Sequence, residues 1–509
     1  MTGGRVYVGL DLGSSAMKGV LLDRHGVTAA RATRRYATQR PEPGASEQDP
    51  GSWLLAVREI LAELSASVPS AEWAGIGLSG MIPTLVVLDE RLAPVRHAIT
   101  WEDRRAEHHG RSVREIVGDT ALYRATGQRV DGRYLLPMYL GLAEREPSVV
   151  SRAISICSAK DYLLAWLTGE LVTDPSTATG YGCFALATGT WHDATLAAAA
   201  QIAPGPLPAL PPVRPSTDQL PIAADTALAL GLPASIRVCV GGADSVLGAA
   251  GLGVRGPGEV AYIAGSSTVI IAVTPELRLD DGLPYLVTPL ATAAGWGLET
   301  DQLTTGSALT WLAKVLLDSG SVARCAELAE SVAPEDAPVF LPFLGGGEQG
   351  ALWDPALSGA VVGLDLRHDR RHLARALLNG ILMESRRCLA VLDRAGAAGP
   401  TIQVAGASAT MPAFRVDLAD ATRRSVSMPA GGEADCSAAG AALLAAQSID
   451  GRVIVRAPQA SGPALSPARV DPDESRSRRW DAIAARHDEV LAALGPYFAA
   501  DRPVGGSSR

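Results

Sequence analysis

Residues 8–23, VGLDLGSSAMKGVLLD, contain two apolar runs separated by a polar Gly-Ser-Ser turn at residues 13–15. The runs at residues 5–10 and 17–23 are rich in Val and Leu, so we predict that they form a pair of β-strands. Glycine lets the backbone approach an anion closely, and successive N–H groups with serine hydroxyls can line a phosphate-binding concavity. The stretch is therefore compatible with either a plain β-hairpin or a phosphate loop.

The same turn occurs again in the second half of the chain. Gly265, Ser266 and Ser267 follow one β-rich run and precede another within GEVAYIAGSSTVIIAVTP, residues 258–275. A single turn of this kind says little, but two copies, one in each half, favour nucleotide binding. Neither copy is a Walker P-loop or a Rossmann fingerprint, because neither lies in a G-x-x-x-x-G-K-[ST] or a helix-opening G-x-G-x-x-G pattern.

Three charged residues near these turns suit phosphoryl transfer, which requires positioning, charge neutralisation and one group that takes the hydroxyl proton. Lys18 would bring a positive charge within reach of the first turn, and Asp11 could hold Mg²⁺ directly or through water. Asp244 lies at the predicted start of a helix, where it is either an N-cap or a general base. On the residues alone, both roles stay open for Asp244.

The order of the predicted elements indicates an α/β protein with more than one domain. Strand patterns are mixed with helical patterns throughout the 509 residues, which predicts layers of helices on sheets. We place the domain boundary shortly before the second strand–turn–strand pattern. This gives domains at 1–243 and 244–455 and an extension at 456–509. A cleft between two such halves is a favoured place for a small ligand.

Charge and cysteine content exclude several classes of function. The net charge is −9 without a long basic run, so we expect neither nucleic acid nor an anionic membrane as the main partner. The six cysteines form no C-x-x-C pair and predict thiols of a reduced compartment. Asp11 interrupts the first apolar run, which argues against a signal peptide, and we expect a cytoplasmic protein.

Ordered blocks along residues 5–495 resemble the FGGY family of carbohydrate kinases, within the actin/Hsp70/hexokinase superfamily. The blocks that carry the resemblance are GLDLGSSAMKGVLLD (9–23), IGLSGMIPTLVVLDERLAPVRHAITWEDRRAE (76–107), KDYLLAWLTGELVTDPSTATG (160–180), GGADSVLGAAGLG (241–253), AGSST (264–268), TTGSALTWL (304–312) and VAGASATMPAFRVDLADATRRSV (404–426).

The resemblance implies an α/β fold of two ribonuclease-H-like domains, as in actin-like ATPases, flanking a central cleft. It implies that ATP and Mg²⁺ bind mainly with the C-terminal domain and a sugar or polyol with the N-terminal one, and homodimers are common among such relatives. Asp244 falls on the family's catalytic aspartate, and Asp11 and Asp244 are the implied metal ligands. The implied nucleotide-binding residues are Ser14, Ser15, Lys18, Gly265, Ser266, Ser267, Gly306, Gly406 and Ala407.

The chain departs from the family pattern on the sugar side. Xylulokinases usually read S-G-Q-M-H-G where this chain has SGMIPT at 79–84, so two side chains that could hydrogen-bond sugar hydroxyls are replaced by apolar ones. A site that lacks such partners relaxes or redirects its choice of substrate. The predicted substrate-binding residues are Met81, Ile82, Pro83, Trp101, Asp103, Arg104 and Ser245.

We therefore predict an ATP-dependent sugar kinase that is most like xylulokinase, with an altered sugar site. One alternative is a kinase for another acceptor, such as gluconate or a polyol. The other is a non-catalytic sensor of sugar or nucleotide on the same fold.

Overall fold

The computed structural model describes residues 5–317, 321–428, 435–454 and 469–500. The chain divides into two compact units, each assembled from separate segments. The first unit comprises Met1–Arg255, Pro275–Gly297 and Asp435–Pro458, and the second comprises Gly256–Thr274, Leu298–Ala434 and Gln459–Arg509. The boundary at residues 243 and 244 stays a prediction.

The described residues form strands mixed with helices along the chain, as predicted. The strands are β1 (Val6–Leu12), β2 (Ala16–Asp23), β3 (Thr28–Arg35), β4 (Glu47–Gln48), β5 (Trp73–Gly80), β6 (Thr84–Leu88), β7 (Ala98–Thr100), β8 (Ser155–Cys157), β9 (Phe184–Ala185), β10 (Thr190–Trp191), β11 (Gln219–Pro221), β12 (Arg237–Cys239), β13 (Gly242–Ala243), β14 (Val260–Ala264), β15 (Thr268–Thr274), β16 (Leu286–Pro289), β17 (Trp296–Gln302), β18 (Val339–Leu341), β19 (Ala360–Val362), β20 (Thr401–Gly406), β21 (Ser425–Ser427) and β22 (Arg469–Val470).

The α-helices are α1 (Pro50–Ser67), α2 (Glu107–Val117), α3 (Asp119–Thr126), α4 (Leu135–Arg145), α5 (Pro147–Val150), α6 (Ala159–Thr168), α7 (Pro175–Ala178), α8 (Asp193–Ile202), α9 (Ala224–Leu230), α10 (Asp244–Gly251), α11 (Gly306–Leu317), α12 (Val322–Glu330), α13 (Arg370–Arg394), α14 (Pro412–Thr422), α15 (Cys436–Asp450) and α16 (Glu474–Ala500). Among the described residues, short 3₁₀ segments lie at Ser70–Glu72, Thr179–Tyr181, Pro334–Asp336 and Ser408–Thr410. Within the described ranges, no helix is both long enough and apolar enough to cross a bilayer.

The first unit is built on a sheet in the order β11-β12-β5-β1-β2-β3, with β13 also pairing β5. β1 pairs antiparallel with β2 and parallel with β5, which confirms the predicted strand pair at the start of the chain. Every residue of β1 is buried. Helix α15 packs on β1 and β5, and apolar residues of α1 join those of the sheet in one core. A second sheet, β4-β7-β6-β8, belongs to the same unit.

The second unit repeats this local arrangement. Its sheet contains the order β17-β15-β14-β20-β21-β22, in which β14 pairs antiparallel with β15 and parallel with β20. The 25-residue helix α13 covers residues 371–392, whose apolar spacing is that of an amphipathic helix. It is fastened to the sheet at Tyr262, whose hydroxyl lies 2.9 Å from the hydroxyl of Ser385.

Candidate active site

The first Gly-Ser-Ser turn joins β1 to β2 and places two charges next to each other. Asp11 and Lys18 are cross-strand partners in the antiparallel ladder, one rung before the last pair at the turn. Asp11 is only 5 % exposed. Burial raises the pKa of the Asp11 carboxyl, and the charge of Lys18 together with a hydrogen bond from Ser79 partly offsets that effect. A nearby positive charge would therefore stabilise the ionised form of Asp11.

Side chains from distant segments hold the backbone of the first turn. The Tyr36 hydroxyl donates to the Gly13 carbonyl, and the Gln48 amide donates to the Ser14 carbonyl at 2.7 Å. The Trp101 indole N–H donates to the Ser14 hydroxyl at 3.1 Å. Of these three side chains, only Trp101 was predicted from the sequence to belong to the site. Tyr36 and Gln48 lie in no recognisable binding motif, so only the fold reveals their role.

Parallel pairing brings Asp11 to the same end of the sheet as the segment that leads to Asp244. Ser79 of β5 pairs with Asp11 of β1 on one side and with Gly242 of β13 on the other. The Ser79 hydroxyl donates to Asp11 Oδ1 at 2.9 Å. Neighbouring strands lie about 4.8 Å apart, so the backbones of Asp11 and Gly242 are separated by roughly 10 Å. Asp244 follows Gly242 by two residues.

Asp244 is half-buried and is the first residue of α10. The N-cap interpretation of Asp244 is wrong, because Ala243 occupies the N-cap position at the end of β13. A carboxylate in the first turn of a helix is nevertheless stabilised by the helix dipole. The structure thus places an acid where its ionised form is favoured, which a general base requires.

The position of α10 depends on its close contact with α15. A Cβ added to Gly440 of α15 would lie 1.8 Å from the Leu247 carbonyl oxygen, and one added to Gly251 would lie 1.9 Å from the Cys436 carbonyl oxygen. The Ser437 hydroxyl donates to the Asp244 carbonyl at 3.0 Å. The small residues of α15 therefore fix the helix that carries Asp244.

The SGMIPT block spans the end of β5 and the first residue of β6, and its members differ in exposure. Met81 is 1 % exposed and belongs to the main apolar core, while its N–H donates to the Leu12 carbonyl at 2.9 Å. Ile82 and Pro83 are half-buried, and a Cβ on Gly180 would lie 3.3 Å from Ile82. The apolar residues that remain partly accessible in this block are thus Ile82 and Pro83.

The remaining candidates for sugar binding lie in different environments. Asp103 is 2 % exposed and accepts hydrogen bonds from the Ser46 N–H at 2.9 Å and from the Arg105 guanidinium. Arg104 is exposed, and Ser245 is 7 % exposed beside Asp244. Asp103 therefore organises its own loop, whereas Arg104 presents a cation to solvent.

The second Gly-Ser-Ser turn joins β14 to β15 and contacts the start of α11. The Ser266 carbonyl accepts hydrogen bonds from the N–H groups of Thr305 at 3.1 Å and Ser307 at 3.0 Å. A Cβ on Gly306 would lie 2.4 Å from the Gly265 carbonyl oxygen, so a larger residue could not occupy this position without a backbone shift. The turn Gly265–Ser267 and Gly306 thus form one cluster in the second unit.

Gly406 and Ala407 join that cluster through the parallel strand β20. Gly406 pairs with Ala264, has a φ of 98°, and a Cβ on it would lie 2.0 Å from the Ala264 carbonyl oxygen. Only glycine adopts this conformation at such a close approach without strain. The exposed Ala407 follows immediately. All six nucleotide-binding candidates of the second unit therefore lie at one end of its sheet.

Glu348 shapes a Gly-rich loop of the second unit and was not predicted from the sequence. Its carboxylate, 6 % exposed, accepts hydrogen bonds from four consecutive backbone N–H groups of residues 350–353, at 2.6 to 2.7 Å. Its place after three glycines is the signal that could have identified it, because such a loop needs an internal partner for its N–H groups.

The donor set of the first unit fits a magnesium ion. Magnesium usually keeps several waters and binds one or two carboxylates together with substrate phosphates. Asp11 offers one buried carboxylate whose pKa is raised by burial, and a cation would offset that cost. Among the described residues, no group of three or more His, Cys, Asp or Glu could hold a metal on its own.

Comparison with known protein families and structures gives consistent matches. Residues 6–251 match the N-terminal domain and residues 260–449 the C-terminal domain of the FGGY family of carbohydrate kinases. The xylulose kinase of Lactococcus lactis subsp. lactis strain IL1403 is 30% identical over 392 residues, covering 76% of this chain and 77% of that protein. The gluconokinase of Bacillus licheniformis is 26% identical over 444 residues, covering 84% and 85%.

The crystal structure of xylulose kinase from Rhodospirillum rubrum superposes with a TM-score of 0.83 at 29% identity, covering 97% of this chain and 100% of that one. This match confirms the predicted α/β fold class of two ribonuclease-H-like domains.

Proposed function

The chain belongs to the FGGY family of carbohydrate kinases, and from that premise we propose that it transfers the γ-phosphoryl group of ATP to a hydroxyl of D-xylulose or a closely similar sugar. That it is an ATP-dependent sugar kinase follows from the family and its kinase relatives. The acceptor, the magnesium requirement and the roles of individual residues are the proposal.

One observation carries the assignment of residues. Asp11, Ser79 and Gly242 pair across three parallel strands, so the first phosphate loop and the start of α10 lie at the same sheet end. Carboxyl ends of parallel strands are where α/β proteins bind their ligands. We give the two acids at that end overlapping tasks, because both can bind a metal ion and Asp244 can also accept a proton.

We assign the proton-transfer task to Asp244, which takes the proton of the attacking hydroxyl as the phosphoryl group moves. Lys18 and the N–H groups of the first turn, with Ser14 and Ser15, balance the charge of the transferring group. Ser266, Ser267 and the residues clustered with them bind the nucleotide through neutral donors. When bound, Mg²⁺ would neutralise phosphate charge, with Asp11 and Asp244 as its protein ligands.

The apolar SGMIPT block supports an acceptor that is less polar on one side than the xylulokinase pattern implies. Ile82 and Pro83 offer no hydrogen-bond partner through their side chains, so the block cannot select for a hydroxyl there. A second candidate acceptor is an aldonate such as D-gluconate. Arg104 favours it, because this arginine is exposed while the adjacent Asp103 is already bonded to Arg105.

A coupled ADP-release assay with ATP and Mg²⁺ across D-xylulose, D-gluconate and alditols tests the proposal. We expect one acceptor to stimulate ADP release, and Asp244→Asn to lower kcat about 10²- to 10⁴-fold if Asp244 is the base. Asp225→Asn is the matched control, since Asp225 also lies in the first turn of a helix of the same unit. Full turnover by Asp244→Asn would refute the mechanism, and no stimulation by any acceptor would favour a non-catalytic sensor.

The predicted cytoplasmic location and the homodimer stay predictions. Size-exclusion chromatography with light scattering would measure the oligomeric state directly.

A further inference from the structure

Lys160 is fully buried in the first unit and contacts three acceptors from separate segments. Its side chain is 0 % exposed, as are those of Asp161 and Asp174. The Lys160 ammonium lies 2.9 Å from Asp161 Oδ1, 3.1 Å from Asp174 Oδ1 and 2.9 Å from the Val240 carbonyl oxygen. Burial lowers the pKa of Lys160, but the two carboxylates outweigh it and raise the pKa above its usual value, so the ammonium stays charged.

The carboxylate of Asp174 extends this cluster toward two serines. Asp174 Oδ2 accepts hydrogen bonds from the hydroxyl of Ser176 and from the hydroxyl of Ser216, the latter at 3.0 Å. Asp174 is also the N-cap of α7, where it accepts from the Ser176 N–H at 2.9 Å. The Ser176 hydroxyl is thus held in one orientation by a fixed, buried partner.

The cluster forms hydrogen bonds with both ends of the segment that precedes Asp244, residues 240–243. At one end Lys160 donates to the Val240 carbonyl, directly after β12. At the other end the Ser176 hydroxyl accepts from the Ala243 N–H at 2.9 Å, directly before α10. Asp244 follows Ala243 without an intervening residue, so its backbone cannot shift unless one of these bonds breaks.

Stability alone does not account for such a cluster. Burying an ammonium and two carboxylates is costly, and well-packed apolar residues of similar volume are often as stable or more so. An apolar residue at 160 could not, however, pair with the carboxylates of Asp161 in α6 and Asp174 before α7 and also donate to the Val240 carbonyl after β12. What the ammonium adds is a directional connection between three elements.

We propose that Lys160, Asp174 and Ser176 form a positioning network that fixes residues 240–243 and thereby orients Asp244 for proton transfer. This inference rests on the proposed role of Asp244 as the base. Lys160, Asp174 and Ser176 are positioning residues, since they act through the backbone that carries Asp244.

The test compares Ser176→Ala with Ser216→Ala. Each variant removes one hydroxyl that donates to the same oxygen of Asp174, but only Ser176 bonds to the Ala243 N–H. We expect Ser176→Ala to lower kcat about tenfold with the KM values for ATP and the sugar unchanged, because orientation and not binding is lost. Ser216→Ala should stay within about twofold of the unmodified protein.

Hydrogen–deuterium exchange of the peptide that contains Ala243 gives a readout that needs no acceptor. The amide of Ala243 should exchange about five- to tenfold faster in Ser176→Ala and unchanged in Ser216→Ala, because a protein hydrogen bond contributes on that order. Equal exchange and equal kcat in the two variants would overturn the positioning network.

Kinetics in the Asp244→Asn variant distinguish the positioning network from the proposed role of Asp244 as the base. If Asp244 is the base and the network acts through it, Ser176→Ala should cause no further loss of kcat in Asp244→Asn. An additional tenfold loss in that background would mean that Ser176 acts elsewhere. If Asp244→Asn alone keeps full turnover, the role of Asp244 fails, and the positioning inference fails with it.

Discussion

The contact between α10 and α15 makes a sharp prediction about Gly440. In Gly440→Ala the new methyl would lie 1.8 Å from the Leu247 carbonyl oxygen, whereas carbon–oxygen contacts normally begin near 3.3 Å. The two backbones must therefore separate by about 1.5 Å. Overpacking of this kind costs about 1–3 kcal/mol, against a gain of up to about 1 kcal/mol from the higher helix propensity of alanine.

The same displacement should appear in catalysis, because α10 begins with Asp244. A misplacement of about 1 Å can lower the rate about 10²-fold. We therefore expect the kcat of Gly440→Ala to fall even under conditions in which the variant is fully folded. Urea denaturation measures the free energy of unfolding, and ADP release at a temperature where the variant is folded measures kcat. Gly205→Ala is the control, since a Cβ there meets nothing within 4 Å. A Gly440→Ala protein with unchanged midpoint and unchanged kcat would refute the argument.

Two further predictions concern acid stability and the first turn. Burial lowers the pKa of His487 to about 4, so the stability that its neutral form contributes is present above pH 6.5 and is lost as the pH falls toward 4. The His487→Gln protein should therefore lose about 3 kcal/mol less unfolding free energy than the unmodified protein between pH 7 and pH 4. Urea denaturation at the two pH values measures this difference, and an identical pH dependence in both proteins would contradict it. Trp101→Phe removes the hydrogen bond to the Ser14 hydroxyl and should raise the KM for ATP about three- to tenfold. The control is Trp191→Phe, which removes an indole hydrogen bond to the Pro211 carbonyl and should leave that KM unchanged. Equal KM values in both variants would argue against a role of Trp101 at the turn.

The elements that could be predicted from the sequence are those with local signals. The stretch SAKDYLLAWLTG at 158–169 carries such signals and forms α6, which begins after a capping box at Ser158 and ends at Gly169 in the left-handed conformation. The strands around the first turn follow from β-branched and apolar residues flanking Gly-Ser-Ser. These features depend on neighbours in sequence, so the pattern alone suffices.

The residues that could not be predicted depend on partners far along the chain. A lysine at the start of an amphipathic helix is usually a solvated residue, and only the tertiary fold brings Asp174 and Val240 to Lys160. Met81 was predicted to bind substrate from its place in the sugar block, but it follows β5 directly and its side chain belongs to the apolar core. The N-cap interpretation of Asp244 was wrong because β13 continues to Ala243, which is itself the N-cap of α10. The two glycines before the acid give no sign of this strand.

The two hairpins share one architecture but differ in charge. Both place a Gly-Ser-Ser turn between antiparallel strands and pair the first strand in parallel with a third. The first carries Asp11 two residues before its turn and Lys18 three residues after it, whereas the second has Ile263 and Ile270 at those positions. Because burying a charge is costly unless it is paired or binds a ligand, the charges of the first hairpin suit a charged ligand better than the apolar residues of the second do. The difference therefore supports our proposal that the first hairpin contacts the transferring phosphoryl group and that the second offers uncharged backbone donors to the nucleotide.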